Sequence, residues 1–204
     1  MSEQIGILIA EDQGMMRSAL ASLLELEDDL RVVEQVARGD EVIAAAERVR
    51  PDVVLLDIEL PGRSGLDLID ELLRAVPGVR VVVVTTFGRP GYLRRAMAAG
   101  ASGFLVKDDP VEQLARAIRD VMAGGIVVDP ALSARALASG PDPLSERERE
   151  VLVRGADGAT IADIAAALHL SESTVRNYLS AAIGKLGARN RGEALSIARR
   201  NGWA

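Results

Sequence analysis

The clearest indication of the fold is the segment Val53-Val54-Leu55-Leu56-Asp57, in which four apolar residues lead directly into a carboxylate. Apolar runs of this length, set between helical stretches, are typical of buried parallel strands. Because the carboxyl ends of parallel strands line one edge of a sheet, the polar residues that follow such runs are expected to meet there. Three further runs have the same form: Ile5–Ala10 before Glu11-Asp12, Val81–Val84 before Thr85, and Gly103–Val106 before Lys107.

The segments between these runs have helical spacing and complete an alternating strand–helix pattern. Five strand–helix units in about 120 residues predict an α/β domain with a doubly wound parallel sheet of five strands. The remaining expected strand covers Arg31–Val36. Five helices are expected: Gln13–Glu25, a helix from an Asp40 cap to Val49, Leu66–Leu73, a helix from Pro90 to just before Gly100, and a helix from Asp109-Pro110 to Met122.

The second half of the chain has a purely helical pattern. Residues 124–143 are expected to be a linker with a short helix over Pro130–Ala138, because Ser139-Gly140-Pro141-Asp142-Pro143 cannot continue a helix. Capping boxes at Ser145–Glu148 and Thr160–Asp163 begin two helices, and a last helix is expected over Asn190–Arg200. We therefore predict three parts, over residues 1–123, 124–143 and 144–204, the last being a small all-α domain.

Composition narrows the class of protein. Of the 204 residues 49% are hydrophobic, which allows a sizeable core, and the absence of cysteine excludes disulfides and thiolate zinc sites. Residues 1–123 carry 14 basic and 21 acidic residues, whereas residues 144–204 carry 9 and 7, so only the helical part can approach a polyanion without net repulsion. No apolar run is long enough to span a membrane, and we expect a soluble cytoplasmic protein without membrane insertion.

The predicted sheet edge has the chemistry of a phosphoryl-accepting pocket. Glu11, Asp12 and Asp57 would repel one another there, and Lys107 supplies only one positive charge, so Mg²⁺ is the natural additional counter-charge. An aspartate beside such a cation is a competent nucleophile, while Lys107 and the Thr85 hydroxyl are suited to hold phosphoryl oxygens. Taken one at a time, these residues are better explained as helix caps or solvated side chains. Their joint occurrence favours the pocket.

Residues 160–186 fit a helix-turn-helix whose second helix lies in the major groove of DNA. That helix runs from a Ser171 cap to Leu186, and on it Arg176 can contact guanine and Asn177 can contact adenine. A plain helical packing module is the alternative that periodicity alone would favour. Further candidate DNA contacts are Ser173, Thr174 and Ser180 on the same helix, with Lys185, Arg189 and Arg191 for phosphates.

Residues 5–123 resemble the receiver domain of two-component response regulators. The resemblance rests on Glu11-Asp12, the run Asp57–Gly65, Thr85 and Lys107. It implies a flavodoxin-like fold in which Asp57 is the phosphoacceptor and Thr85 and Lys107 contact the phosphoryl group. It also implies that Mg²⁺ is held by Asp12, Asp57 and the backbone carbonyl of Glu59, with Glu11 reaching the ion through water.

Several further residues stand out around this pocket. By the same resemblance Phe104 matches the family's aromatic switch, which turns inward when the threonine moves, and an ordinary half-buried strand aromatic is the alternative. Glu59 and Phe87 flank the path of a hydrolytic water, so we expect the phosphoryl group to be lost slowly. The pair Met15-Met16 is a candidate contact for a kinase, and inward packing of one or both is an equal alternative.

Residues 144–198 resemble the LuxR/NarL-type output domain, through Pro143–Glu148, Ser171–Arg176 and Lys185-Leu186. The whole chain resembles a NarL/FixJ-type response regulator and is similar to the subgroup that includes regulators of membrane-lipid desaturase genes. The resemblance implies a phosphorylation-dependent transcription regulator. Its expected partners are a sensor histidine kinase as phosphodonor, a second copy of the chain on phosphorylation, promoter DNA with two half-sites, and RNA polymerase as a further candidate.

Two other functions remain open on the sequence. An aspartate-nucleophile phosphatase could use Asp57 as nucleophile and Glu59 as general acid, but residues 144–204 follow a DNA-binding pattern and no segment forms a substrate cap. A constitutive DNA-binding dimer would keep the fold without control by phosphorylation, which the intact pocket argues against. We therefore expect a regulator and not an enzyme.

Overall fold

The structure, a computed structural model, describes residues 4–86, 88–107, 111–138, 140, 142–156 and 158–203. Phe87 and the predicted helix start at Asp109-Pro110 lie outside the described residues. The chain divides into two compact units. The first comprises the residues up to Gly88 with Leu93–Ala134, and the second comprises Arg89–Tyr92 with the residues from Arg135 onward.

A parallel sheet with the strand order β2-β1-β3-β4-β5-β6 lies in the first unit. Every neighbouring pair of strands is parallel, so the predicted doubly wound α/β class is confirmed. The strands are β1 Ile5–Ala10, β2 Leu30–Val36, β3 Val53–Leu56, β4 Arg80–Thr85, β5 Gly103–Val106 and β6 Val127–Val128.

The predicted number of five strands is wrong, because a sixth strand lies at the sheet edge beside β5. Its two residues, Val127 and Val128, pair with Gly103 and Phe104 and fall in the segment that we expected to be a linker. The pairing provides partners for outer backbone groups of β5 and shortens the exposed edge. Two residues are too few to form an alternating or continuous apolar pattern, so the sequence carries little signal for this strand.

Helices follow the strands and bury both faces of the sheet. On one face, Leu24 of the first helix and Ile118 of the fifth join Ile7 and Leu55 in one buried cluster. Leu56, the neighbour of Leu55 along β3, points to the opposite face and is equally buried. The helices are α1 Gly14–Leu24, α2 Gly39–Val49, α3 Gly65–Ala75, α4 Pro90–Ala98, α5 Val111–Met122 and α6 Pro130–Ala138.

The predicted Asp40 cap of the second helix is wrong. α2 begins at Gly39 with Arg38 in the N-cap position, and no side-chain hydrogen bond caps it. The Gly39 N–H instead donates to the Pro61 carbonyl at 2.9 Å, which satisfies a backbone donor at this helix start from a distant loop. Asp40 lies in the first turn, where its carboxylate accepts hydrogen bonds from Arg38 at 3.0 and 2.9 Å and complements the helix dipole.

The second unit contains the helical pattern that the sequence predicts. Leu144, Val175, Leu179 and Trp203 lie in its buried cluster. Both predicted capping boxes are confirmed. Within the described ranges, no helix combines the length and the apolar character that crossing a membrane requires. The helices are α7 Glu146–Arg154, α8 Ile161–Leu168, α9 Glu172–Lys185 and α10 Arg191–Asn201.

The turn between α8 and α9 has the geometry of a helix-turn-helix connection. His169 ends α8 in the left-handed region, at φ 53° and ψ 43°, which turns the chain sharply. Two residues later the Ser171 hydroxyl accepts a hydrogen bond from the Thr174 N–H at 3.1 Å. The predicted Ser171 cap is thus confirmed, and α9 starts immediately after it.

Gly65, the first residue of α3, lies against the backbone that follows β3. A Cβ atom at this position would come within 2.0 Å of the Asp57 carbonyl oxygen, so Gly65→Ala must displace backbone. We expect the variant to lose about 1–3 kcal/mol of unfolding free energy in urea denaturation. Gly14→Ala is the matched control, because Gly14 also begins a helix and its added Cβ would meet only the Arg17 side chain, at 3.9 Å. Equal stabilities of the two variants would contradict the close approach.

Candidate functional site

Three carboxylates meet at the carboxyl edge of the sheet. β1 and β3 are adjacent, with Ala10 opposite Leu56, so Glu11-Asp12 and Asp57 leave the sheet side by side. The Asp57 N–H donates to the Ala10 carbonyl at 3.0 Å and ties the two strand ends together. One ligand oxygen from each carboxylate lies within 4.8 Å of the others. The structure therefore brings together the three acidic residues that the sequence singles out.

Lys107 reaches this cluster from the end of β5. Its Nζ atom donates to Asp57 Oδ2 at 2.8 Å and also forms an ion pair with the Glu11 carboxylate. Only 4% of the Lys107 side chain is exposed, so these contacts are largely shielded from water. Burial raises the pKa of Glu11, although hydrogen bonds from Lys107 and the Gln13 N–H act in the opposite direction. Burial also opposes the charge of Lys107, yet its hydrogen bonds to Asp57 and Glu11 raise its pKa.

The donor set fits a hard divalent cation. Three carboxylates face one ammonium group, so the cluster has an excess of negative charge that a cation would relieve. Mg²⁺ prefers a few carboxylate oxygens together with several waters, and Asp12 is exposed and leaves the cluster open to solvent. Glu11 already accepts hydrogen bonds from Lys107 and from the Gln13 N–H, the latter at 3.1 Å. Asp12 and Asp57 are therefore the better placed to offer oxygens to an ion.

The other predicted pocket residues lie around Asp57. Thr85 is fully buried at the end of β4, and its carbonyl accepts a hydrogen bond from the Lys107 N–H at 2.9 Å. The exposed Glu59 donates its backbone N–H to Asp57 Oδ1 over a long 3.4 Å. Among the described residues, Lys107 thus holds one oxygen of Asp57 closely, and the Glu59 N–H makes a long hydrogen bond to the other.

Phe104, the predicted switch residue, is fully buried in β5. The alternative of a half-buried strand aromatic is therefore wrong as to burial, and the ring is already inward in this structure. Phe104 lies opposite Val83 of β4, two residues before Thr85. Its role as a switch stays a prediction.

Arg17 is a pocket residue that the sequence reasoning missed. From the first turn of α1, its Nη1 atom donates to the Glu11 carbonyl at 2.6 Å and contacts the Asp12 carbonyl at 3.5 Å. The guanidinium therefore holds the backbone from which both carboxylates project. Side chains on a helix point back towards its N-terminus, so a basic residue one turn into α1 could have been recognised as facing the acidic strand end.

The predicted DNA-contact residues of α9 are mostly exposed. Arg176, Asn177 and Ser180 lie on the solvent side, opposite the buried Val175 and Leu179. Ser173 is exposed and Thr174 is half-buried, and both hydroxyls lie 2.8 Å from the Ser171 hydroxyl in the cap of the helix.

The basic candidates are all engaged within the protein. Arg176 pairs with Glu172 at 2.7 Å, and Arg189 pairs with Glu193 at 3.0 Å. Lys185 donates to the buried carboxylate of Glu148 at 2.7 Å. Arg191 donates to the Ala159 carbonyl at 3.0 Å and so braces the loop before α8. The partners of Arg176 and Arg189 lie four residues away, a spacing visible in the sequence, whereas those of Lys185 and Arg191 lie more than 30 residues away and could not be predicted from it.

Two protein families match this chain. The family described as "Response regulator receiver domain" matches residues 7–119, and the family described as "Bacterial regulatory proteins, luxR family" matches residues 142–198. The chain therefore belongs to the response regulators that join a receiver domain to a LuxR-type DNA-binding domain.

Relatives share this organisation over nearly their whole length. The chain is 46% identical over 199 residues to the uncharacterized transcriptional regulatory protein YvfU of Bacillus subtilis (strain 168), covering 98% of this chain and 99% of that protein. It is 45% identical over 199 residues to the transcriptional regulatory protein DesR of the same organism, covering 98% of each. Among solved structures it is similar to the response regulator ChrA of a heme-sensing two-component system, with 32% identity, a TM-score of 0.57 and coverage of 98% and 99%. The resemblance that the sequence predicts is confirmed.

The contact of Arg17 with the acidic strand end should affect the affinity of the site for Mg²⁺. Arg17→Ala removes the donor that holds the Glu11 and Asp12 carbonyls, so we expect about tenfold weaker Mg²⁺ binding. The Mg²⁺ dependence of the thermal unfolding midpoint measures this change. Arg74→Ala is the control, because Arg74 makes an exposed ion pair with Asp70 within α3. Indistinguishable Mg²⁺ dependence in the two variants would reject a role for Arg17 in positioning the carboxylates.

The pair of Lys185 and Glu148 leads to a prediction about acid stability. The hydrogen bond from Lys185 lowers the pKa of Glu148, so the pair stabilises the fold above the ordinary glutamate value of 4.5 and stops doing so as the pH falls below it. We expect Lys185→Met to cost about 1–2 kcal/mol at pH 7, with the difference from wild type shrinking below pH 4.5. Trp203, the single tryptophan, lies in the buried cluster of the helical unit and reports its unfolding by fluorescence.

Arg176→Met is the control for this measurement. It breaks an exposed ion pair on the same helix, and such pairs contribute at most about 1 kcal/mol. A loss of stability in Lys185→Met that stays constant from pH 7 to acid would show that packing, and not the ion pair with Glu148, is responsible.

Proposed function

We propose that this chain is a two-component transcription regulator that accepts a phosphoryl group on Asp57 and, in that state, dimerises and binds promoter DNA. The observation that carries the proposal is the environment of Asp57. Lys107 holds Oδ2 at 2.8 Å, while among the described residues the hydrogen bond to Oδ1 is a long one of 3.4 Å from the Glu59 N–H. The same chain has a LuxR-type domain that presents an exposed helix face.

Asp57 Oδ1 is the nucleophile in this proposal. It attacks the phosphorus of the donor and forms a P–O bond, while the bond between phosphorus and the donor atom breaks and the donor keeps the electron pair. Lys107 carries the positive charge that balances the added anion. When bound by Asp12, Asp57 and the Glu59 carbonyl, with Glu11 acting through water, Mg²⁺ supplies charge neutralisation for the phosphoryl oxygens.

The phosphodonor is another molecule. The single histidine, His169, is an exposed turn residue between α8 and α9, and the sequence has no phosphate-cradling loop of the nucleotide-binding type. A sensor histidine kinase fits this requirement. Met15 is 88% exposed on α1 beside the pocket, whereas Met16 packs against the core, so Met15 is the residue of that pair that we assign to the kinase contact.

The signal from the pocket is proposed to pass through the ends of β4 and β5. Lys107 and Thr85 are joined by the hydrogen bond between the Lys107 N–H and the Thr85 carbonyl. A phosphoryl group that draws on both residues therefore shifts two neighbouring strand ends together, and Phe104 lies on one of those strands. This coupling biases the receiver towards a dimerising state.

The dimer places two output domains on DNA. Arg176 and Asn177 on α9 are proposed to contact base edges, with Ser173, Thr174 and Ser180 beside them. Lys185, Arg189 and Arg191 are proposed to contact phosphates. Two such domains bind half-sites about 34 Å apart, one turn of the duplex. RNA polymerase is a further candidate partner of the bound dimer.

The surroundings of Asp57 also bear on how long the phosphoryl group persists. The exposed Glu59 lies beside Asp57, and a carboxylate there disfavours attack by a hydroxide-like water. We therefore propose that the phosphoryl group persists for many minutes. The contribution expected of Phe87 falls outside the described residues and stays a prediction.

Phosphorylation control of DNA binding can be tested with the two aspartates that flank β3. Asp57→Asn removes the nucleophile at the carboxyl end, so acetyl phosphate with Mg²⁺ should strengthen promoter footprints of the wild type and leave those of the variant unchanged. Asp52→Asn, at the opposite end of the same strand, is the control and should respond like the wild type. Equal binding by Asp57→Asn and treated wild type would reject the mechanism.

A further inference from the structure

Glu172 and Arg176 form an ion pair on the exposed face of α9. The Arg176 Nη2 atom donates to Glu172 Oε2 at 2.7 Å, and the two residues lie one helical turn apart. The Arg176 side chain is 59% exposed and the Glu172 side chain 52%, so the pair lies in solvent and not in the core. Arg176 is one of the two residues, with Asn177, that the proposed function assigns to base contact. Its guanidinium therefore already has an anionic partner before DNA arrives.

Two acceptors on DNA compete for this guanidinium on unequal terms. A phosphate oxygen replaces one anionic partner of Arg176 by another, which changes little for the arginine. Guanine presents O6 and N7 side by side in the major groove, where arginine donates to both in a fixed bidentate geometry. Because guanine is uncharged, Arg176 can keep a donor on Glu172 while it contacts the base, whereas a phosphate places a second anion beside the Glu172 carboxylate and the two repel.

We propose that Glu172 is a specificity-determining residue of this DNA reader. It disfavours loose contacts between Arg176 and phosphates, because the repulsion of its carboxylate is not offset there. It permits the contact with guanine, because the base is uncharged and the guanidinium retains donors for the Glu172 carboxylate. This inference rests on the proposed function, in which α9 lies in the major groove. Glu172 then weakens binding to arbitrary DNA more than binding to the correct half-site.

Glu172 suits this role better than the other glutamates that pair with basic candidates. Glu148 is buried and accepts a hydrogen bond from the Ser145 N–H at 2.7 Å, so it is needed for the cap of α7. Glu193 accepts a hydrogen bond from the Arg189 backbone N–H at 2.7 Å and so shapes the start of α10. Among the described hydrogen bonds, the Glu172 carboxylate accepts one from Arg176 and has no structural partner of that kind.

Glu150 offers a matched control. Its carboxylate accepts from Arg147 at 2.7 Å in another exposed ion pair, on α7 instead of α9. Glu172→Gln and Glu150→Gln therefore remove the same charge from the same kind of pair. Both variants keep a side chain of nearly the same shape. Trp203 fluorescence verifies that the helical unit is folded in each.

The experiment uses the full chain treated with acetyl phosphate and Mg²⁺. The wild type first selects a binding site from random DNA. Dissociation constants are then measured for that site and for a scrambled duplex of equal length, in the wild type, Glu172→Gln and Glu150→Gln, between 50 and 200 mM salt. We expect Glu172→Gln to bind scrambled DNA more tightly, with a salt slope steeper by about 0.9, because Arg176 becomes available to one more phosphate. Its advantage over the wild type on that DNA should therefore fall about 3.5-fold across this salt range.

The ratio of affinities for the selected and scrambled duplexes decides the inference. We expect this ratio to fall in Glu172→Gln and to stay at the wild-type value in Glu150→Gln. Equal ratios and slopes in the two variants would overturn the role of Glu172. A loss confined to the selected site would overturn it too, because it would show that the carboxylate reads a base directly. A wild type that prefers no sequence at all would instead reject the proposed function, and the inference with it.

Discussion

The contact of Lys107 with two buried carboxylates is the interaction on which the receiver site depends. Asp57, Glu11 and Lys107 come from the ends of three different strands, and their side chains are almost completely buried. Removing the ammonium would leave crowded anions in a poorly solvated place, and such uncompensated charge is strongly destabilising. Lys107 therefore links three strand ends at the sheet edge and also places a positive charge beside the nucleophile.

Both lysines of the chain form an ion pair with a buried carboxylate. All other basic residues are arginines, yet the two lysines, Lys107 and Lys185, each pair with a buried glutamate. A compact ammonium can approach one carboxylate without the planar geometry that a guanidinium needs. In the receiver the partner is Glu11 together with Asp57, and in the helical unit it is Glu148, whose carboxylate also caps α7. The output domain thus uses Lys185 to join α9 to α7, and any phosphate contact by this side chain has to compete with Glu148.

Much of the fold and most of the pocket could be predicted because the signals are local. Four apolar runs end in distinctive polar residues, and parallel strands must bring those ends to one edge. The caps at Ser145, Thr160 and Ser171 were equally predictable, since each joins residues only three positions apart. Apart from the local contact of Arg17 with the acidic strand end, the features that escaped prediction depend on residues far apart in the chain. The Pro61 carbonyl sets the start of α2, a two-residue strand extends the sheet beside β5, and Glu148 reaches Lys185 across 37 positions.

Mapping of the acyl phosphate tests the proposed role of Asp57 as the phosphoacceptor. The wild-type chain is incubated with acetyl phosphate and Mg²⁺, its mass is measured intact, and the modified aspartate is trapped by reduction and located by peptide sequencing. We expect the mass to increase by one phosphoryl group, with the trapped residue at Asp57 and no increase in Asp57→Asn. A modified residue elsewhere, or an unmodified wild type beside a phosphorylated variant, would contradict it.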